Sequence, residues 1–137
     1  MKNGIAWSDE YAVGNIIIDA QHMRLFALVG NLVSYCAEGS DVKRIRETLG
    51  FLVTYIDEHF ADEEELQIGV KYPGYEAHKR MHDNFRTSVA KFIERYDETG
   101  ITSSLSGDIN KVVVKWLVNH VMKEDKAIGE YIRSKKA

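Results

Sequence analysis

The five histidines of this chain, together with two carboxylates, form one pattern that restricts the fold. Residues four apart lie about one helical turn apart and project from the same face of a helix. Each segment of the pattern therefore predicts a helix that turns polar side chains to one side. Four helices around one buried polar centre is the simplest fold that uses all of them. In chain order the pattern is His22 alone, His59 with Glu63, His78 with His82, and His120 followed five residues later by Asp125.

The residues between these positions support four helices. Apolar stripes and turn residues predict three helices, at about 19–37, from 40 or 41 to 65, and at 75–97. Asp19 is the expected N-cap of the first helix and Ser40 or Asp41 that of the second, and a fourth helix starts near Gly107. No segment shows the sustained alternation that marks a strand. The predicted fold is all-α, and the short connections favour an antiparallel up-down-up-down four-helix bundle.

The length of the chain fits a single domain, residues 1–137. Residues 1–17 form a predicted N-terminal arm, and residues 18–134 form the bundle. Two aromatic residues of the arm, Trp7 and Tyr11, are expected to anchor it to the helices.

Composition restricts the class of protein. The apolar content of 45% and the charged content of 28% are ordinary for a globular protein. A net charge of −3 argues against a nucleic-acid partner, because nucleic-acid binders usually carry a strong basic excess. The aliphatic runs are too short to span a bilayer, so no membrane role is expected. The single cysteine, Cys36, fits a reducing compartment, and the expected location is the cytoplasm.

The seven polar groups of the pattern need compensation if they are buried together. One histidine on an apolar stripe is usually a hydrogen-bonded core residue. Seven such groups are different, because each unpaired polar group costs about 1–3 kcal/mol, whereas a whole domain is stable by only roughly 5–15 kcal/mol. A metal ion satisfies these groups directly, so the joint pattern predicts a metal centre.

The number and type of ligands indicate two ions. Seven ligands are too many for one tetrahedral zinc ion and suit two octahedral-type ions that share bridging carboxylates. Mixed imidazole and carboxylate ligation is typical of non-haem iron, although manganese or zinc could enter the same site. Ferritin-like di-iron bundles use mostly glutamates, so the excess of histidine here indicates a different class.

With these ligand positions and the residues around them, the sequence resembles the bacterial members of the hemerythrin family over nearly its whole length. Seven ligand positions in order, with helix-compatible spacing, make the resemblance specific. It begins with Trp7 in the arm and continues through Ile18-Asp19-Ala20-Gln21-His22, His59-Phe60-Ala61-Asp62-Glu63-Glu64, Tyr72-Pro73-Gly74, His78-Lys79-Arg80-Met81-His82, Trp116-Leu117-Val118-Asn119-His120 and Asp125-Lys126.

The resemblance implies a non-haem di-iron centre that binds O2 reversibly. One iron takes three histidines, the other takes two, and both share two carboxylates and a solvent-derived oxo or hydroxo bridge. The second iron then keeps one open position, where O2 binds. The implied ligands are His78, His82 and His120 for the first iron, His22 and His59 for the second, and Glu63 and Asp125 for both.

The choice of carboxylates follows different arguments at the two positions. Glu63 is preferred to Glu64 because only Glu63 lies one turn from His59. At the other position helical periodicity alone would choose Glu124, which is four residues after His120. The family pattern instead implies Asp125, which requires a break, bulge or helix end in this stretch.

Apolar residues beside the ligands are bundle core and, by the resemblance, also wall the O2 site. A dry pocket excludes water and anions and so slows autoxidation. The expected wall residues flank the ligands of the open iron, and they are Leu25, Phe60, Trp116, Leu117 and Val121.

The implied function is O2 carriage, storage or sensing without catalysis. The alternative is a di-iron oxidase, peroxidase or NO-handling enzyme on the same scaffold. All five histidines are committed as ligands, which leaves no histidine as a proton shuttle and disfavours that alternative. A protein partner is not indicated by the sequence.

Overall fold

The computed structural model describes residues 7–38 and 42–136, and within them it contains helices and no strand. The prediction of an all-α four-helix bundle with an N-terminal arm is confirmed. Helices α1, α2 and α3 span Ile16–Glu38, Val42–Gly69 and Tyr75–Thr99. Helix α4 covers residues 103–136 and consists of five consecutive helical segments.

The helices pack in chain order, and α4 returns to α1 to close the bundle. Their inward stripes form one apolar core, because each helix repeats its aliphatic residues at three- and four-residue intervals. The fully buried aliphatic side chains of this core include Leu32, Ile45, Leu49, Leu52, Ile56, Leu105 and Ile109. The connections are short, so neighbouring helices run antiparallel.

Helix α1 begins three residues before the predicted start. Asn15 acts as the cap, because its Oδ1 accepts a hydrogen bond from the Ile18 amide at 3.0 Å. Asp19, the predicted cap, lies in the first turn instead. Its carboxylate accepts from the amides of Val13 at 2.8 Å and Gly14 at 3.3 Å and so ties the arm to α1.

Helix α2 extends four residues beyond its predicted end at Glu65 and includes Gly69. The predicted start of this helix at residues 40–41 lies outside the described residues. The following turn closes when Tyr72 N–H donates to the Gln67 carbonyl at 2.9 Å. Lys71 adopts a positive φ of 58°, which completes the reversal before α3.

Helix α4 also starts earlier than the predicted position near Gly107. Thr102 caps it, because its hydroxyl oxygen accepts from the Leu105 amide at 3.0 Å. Two π-helical turns interrupt the α-helical segments, at Asn110–Val114 and at His120–Asp125. Each π turn adds one residue to the local repeat and changes which side chains face inward.

The arm crosses the bundle against the last part of α4. Tyr11 packs on the ring of Phe26, with centroids 4.8 Å apart, and Trp7 is half-buried against the same core. A side chain at Gly129 would collide with the Val13 carbonyl oxygen, so the close approach requires glycine. Arg133 donates to that same carbonyl at 3.1 Å.

One stretch of the described residues, Ile16–Ala37, is long and apolar enough to cross a membrane, with a mean hydropathy of 1.3. In this structure that stretch lies within α1. It buries Leu25, Phe26 and Val29 in the bundle core, and its inward face carries His22. Its apolar character is therefore used for helix packing in the bundle.

Candidate metal centre

The structure brings together all seven side chains that the sequence predicted as ligands. They come from all four helices, and each is at most 5% exposed. The buried side chains are His22 of α1, His59 and Glu63 of α2, His78 and His82 of α3, and His120 and Asp125 of α4.

The ligand atoms divide into two overlapping sets, within each of which every atom lies within 4.8 Å of the others. Three histidines belong to the first set and two to the second. Glu63 and Asp125 belong to both sets, as bridging carboxylates would. The first set is Glu63, His78, His82, His120 and Asp125, and the second is His22, His59, Glu63 and Asp125.

Asp125 reaches the cluster because α4 makes a π turn between His120 and Asp125. A π turn aligns residues five apart, whereas an α turn aligns residues four apart. His120 Nε2 accordingly lies 3.1 Å from Asp125 Oδ1. Glu124 is half-buried and belongs to neither set; it lines an open surface groove with Lys123. The interruption that the choice of Asp125 required is therefore present.

Several polar atoms at the centre have no hydrogen-bond partner. They include both oxygens of Asp125, Oε2 of Glu63 and both ring nitrogens of His22. His22 Nε2 is only 3.0 Å from Asp125 Oδ2, yet the two atoms are not aligned for a hydrogen bond. Buried lone pairs that converge without bonding one another fit a cation, so these residues fit a metal centre.

The protonation of the histidines also depends on the two carboxylates. Burial alone would lower the pKa of His22, but Asp125 and Glu63 outweigh it and raise that pKa to about 10. The same carboxylates raise the pKa of His78 to about 9 against the effect of burial. His59 behaves oppositely, because burial lowers its pKa to about 4 and Glu63 only partly opposes this.

The two carboxylates are held in the ionised form. Burial would raise the pKa of Glu63, but the surrounding imidazoles, His22 first, hold it well below its usual range. For Asp125 burial acts in the same direction, and the opposing charge of His120 and the neighbouring imidazoles again hold the pKa low. In the metal-free centre the two carboxylates and the protonated forms of His22 and His78 thus stabilise one another.

Two of the histidines have a polar partner on the ring nitrogen that faces away from the cluster. His59 Nδ1 lies 2.7 Å from Oε1 of Gln21, whose Nε2 donates to Asp62 Oδ2 at 2.7 Å. His82 Nδ1 lies 2.8 Å from Oε2 of Glu64. These outer residues were not paired by sequence reasoning, and the available signal was their adjacency to His22 and Glu63.

The five predicted wall residues occupy different surroundings. Leu25, Leu117 and Val121 are buried in the core cluster. Phe60 stacks on His82, with ring centroids 3.7 Å apart and planes at 1°, although it is also 5.9 Å from His59.

Trp116, the fifth of the predicted wall residues, lies beside a ligand of the three-histidine set. Its ring stacks on His120 with centroids 4.2 Å apart, on the side of the three-histidine set. It is half-buried and borders a groove that is open to solvent. Trp116 and His120 are four residues apart along the α-helical segment Lys115–Asn119 and its cap, so residue spacing already places the two side chains on the same helix face.

Two further features near the carboxylates were missed by sequence reasoning. Gln67, one turn beyond Glu63, is fully buried, and neither atom of its amide has a partner. A separate cavity of about 100 Å³ lies between the arm and α4 and reaches Glu63 and Asp125. Sequence reasoning had placed Gln67 in a loop, and so gave no reason to expect its burial.

Comparison with known proteins gives a consistent result. The protein-family model described as the hemerythrin HHE cation binding domain matches residues 13–132 of this sequence. A bacteriohemerythrin of Stenotrophomonas maltophilia is 30% identical over 131 residues, which cover 95% of this chain and 82% of the relative. A myohemerythrin of Theromyzon tessulatum is 29% identical, covering 87% of this chain and 86% of the relative. A crystal structure of wild-type hemerythrin matches with a TM-score of 0.81 and 28% identity, over 93% of this chain and 96% of that one.

Proposed function

This chain belongs to the hemerythrin family, and we propose that the seven clustered side chains hold the two irons at which it binds O2 reversibly. The observation that carries the proposal is the division of the cluster into two ligand sets that share Glu63 and Asp125. Shared carboxylates hold two cations close together, as a di-iron centre requires. The paired irons, when bound, supply the electrons and the coordination position that O2 needs.

The two sets differ in their number of protein ligands, and this difference indicates which iron binds O2. The first set offers five protein ligands and the second offers four. With equal coordination numbers, the iron of the second set keeps one more position for ligands from outside the protein. We therefore assign O2 binding to the half held by His22 and His59.

Apolar side chains around the centre keep water away from bound O2. Leu25, Phe60, Leu117 and Val121 are each at most 2% exposed. A pocket without water excludes the anions and protons that would displace bound O2 and leave oxidised iron behind. The same residues also supply core packing, so their effect on O2 must be separated from their effect on stability.

We further propose that residues 1–137 form one domain, and that the chain is a cytoplasmic binding protein rather than an enzyme. All five of its histidines lie in the cluster, so none is left to move a proton to a substrate. Cys36, the single cysteine, has no partner for a disulfide and suits a reducing compartment.

The test is the absorption spectrum of iron-loaded protein through repeated cycles of reduction, exposure to air and removal of O2 under argon. An O2-binding protein gains an absorption band in air and loses it under argon over several cycles. A di-iron oxidase or peroxidase would instead consume O2 continuously when a reductant is present, and the band would not return to its starting state.

A further inference from the structure

The outer hydrogen bonds of the cluster differ between its two halves. Behind His82, in the three-histidine set, stands the carboxylate of Glu64 at 2.8 Å. Behind His59, in the two-histidine set, stands the neutral amide of Gln21 at 2.7 Å. Both contacts use Nδ1, while Nε2 of each ring faces Glu63.

The orientation of the Gln21 amide is fixed from its far side. Its Nε2 donates to Asp62, so its Oε1 is the atom that faces His59. An amide oxygen can only accept a hydrogen bond, and His59 must therefore carry its proton on Nδ1. This tautomer leaves the Nε2 lone pair free to bind a cation. The carboxylate of Glu64 imposes the same tautomer on His82.

The two acceptors have different electronic effects on their histidines. A carboxylate that accepts from an imidazole N–H draws the ring toward imidazolate character and makes it a stronger ligand. A neutral amide orients the ring in the same way but adds no charge. Glu64 is only 14% exposed, so its charge is poorly screened by water.

We propose that Glu64 and the Asp62–Gln21 pair are positioning residues that give the halves of the di-iron centre different charge. Glu64 favours the oxidised state of the iron bound by His82, which does not contact O2. Gln21 holds the tautomer of His59 without added charge at the half that does. This inference rests on the proposed function, because it concerns residues that act on the same proposed di-iron centre.

The charge effect is tested by Glu64→Gln, with Glu65→Gln as the matched control. Both changes remove one negative charge from neighbouring residues of α2, and the glutamine at position 64 still offers an acceptor to His82. Glu65 is exposed, so its charge is screened. Glu64→Gln is expected to raise the midpoint potential of the iron centre and to slow autoxidation several-fold, while Glu65→Gln changes neither. Equal potentials in the two variants would overturn the inference.

The orienting effect is tested by the release of iron to a chelator. Gln21→Leu removes the acceptor of His59 and is expected to speed the loss of one of the two irons by about 10- to 100-fold. Gln21→Glu restores an acceptor and should recover slow release. Asp62→Asn should give an intermediate rate, whereas Glu58→Gln, an exposed carboxylate on α2, should match the unmodified protein. A slow release in Gln21→Leu would overturn this part.

The two sets of measurements separate the inference from the function. Potentials and iron release are measured without O2, so they test the outer residues even if the unmodified protein fails to bind O2 reversibly. Circular dichroism and metal counts on every variant identify any change in folding. If Glu64→Gln unfolds, the Gln21 series still tests the orienting effect.

Discussion

His120 and Asp125 are five residues apart on one helix, yet Nε2 of the first lies 3.1 Å from Oδ1 of the second. The π turn at His120–Asp125 makes this contact, since a regular α-helix would rotate Asp125 away from the cluster. The extra residue in this turn therefore has a direct use: it selects which of two adjacent carboxylates enters the centre.

The selection of the carboxylate gives the first prediction. Asp125→Ala removes a ligand of both sets and is expected to abolish binding of two irons per chain. Glu124→Ala removes the neighbouring carboxylate, which belongs to neither set, and should leave the metal count unchanged. Metal analysis of both variants after loading at one pH checks this. Loss of iron in Glu124→Ala with retention in Asp125→Ala would mean that the helix is regular there.

The buried apolar side chains around the centre give the second prediction. Leu117→Ala opens a cavity in the core near the ligands and should shorten the lifetime of the oxygenated form at least several-fold. Leu49→Ala is the matched control, because Leu49 is equally buried but lies ten residues before His59, or about 15 Å along α2. Both changes should cost about 2–5 kcal/mol of folding stability. Equal lifetimes in the two variants would show that Leu117 only packs the core.

The histidines give a prediction for the metal-free protein at different pH. In an unfolded chain their pKa is about 6.5. The folded values for His22 and His78 are raised to about 10 and about 9, so their contribution is fully present below pH 6.5 and lost as the pH rises through those values. The value for His59 is lowered to about 4, so its effect is a loss of stability as the pH falls below 6.5.

Thermal unfolding measures these opposite signs. The melting temperature of metal-free protein should be highest near neutral pH and should fall by several degrees toward pH 9, because two groups act on that side. Protein loaded with ferrous iron under argon should not show the alkaline loss, since the metal replaces the protons. A metal-free melting temperature that rises between pH 6.5 and pH 9 would contradict the assigned protonation.

The arm gives a prediction about access to the centre. A methyl group at Gly129 would collide with the Val13 carbonyl oxygen, so Gly129→Ala should displace the arm and destabilise the fold by about 1–3 kcal/mol. The arm borders the cavity that reaches Glu63 and Asp125, and its displacement should also speed iron removal by a chelator. Gly107→Ala, in the same helix with no atom near the new methyl, is the control and should be neutral or stabilising. Identical iron release in the two variants would show that the arm does not limit access.

Sequence reasoning predicted the bundle and the gathered ligands because both depend on periodicity within one helix. His59 and Glu63 share a face by spacing alone, and the apolar stripes define which face is inward. Helix ends were less accurate: Asn15, rather than Asp19, caps α1, and Thr102 caps α4, which was expected to start near Gly107. Several residues near each helix end could act as a cap, and periodicity within the helix does not decide between them.

Side-chain contacts between different helices could not be predicted from the sequence. Gln21 and His59 are 38 residues apart, and nothing local indicates that an amide on α1 faces an imidazole on α2. The burial of Gln67 depends in the same way on packing, because α2 continues past its predicted end at Glu65. The sequence offered candidates for such roles, but only the packed structure pairs them.

Gas titration tests most directly whether the protein takes up O2 reversibly in fixed proportion to its iron. Fully reduced protein with a measured iron content is exposed to known amounts of O2, and the gas released under argon is then measured. The two ligand sets predict one O2 bound for every two irons, recovered as O2 on release. Uptake that exceeds this ratio, or O2 that cannot be recovered, would contradict the account.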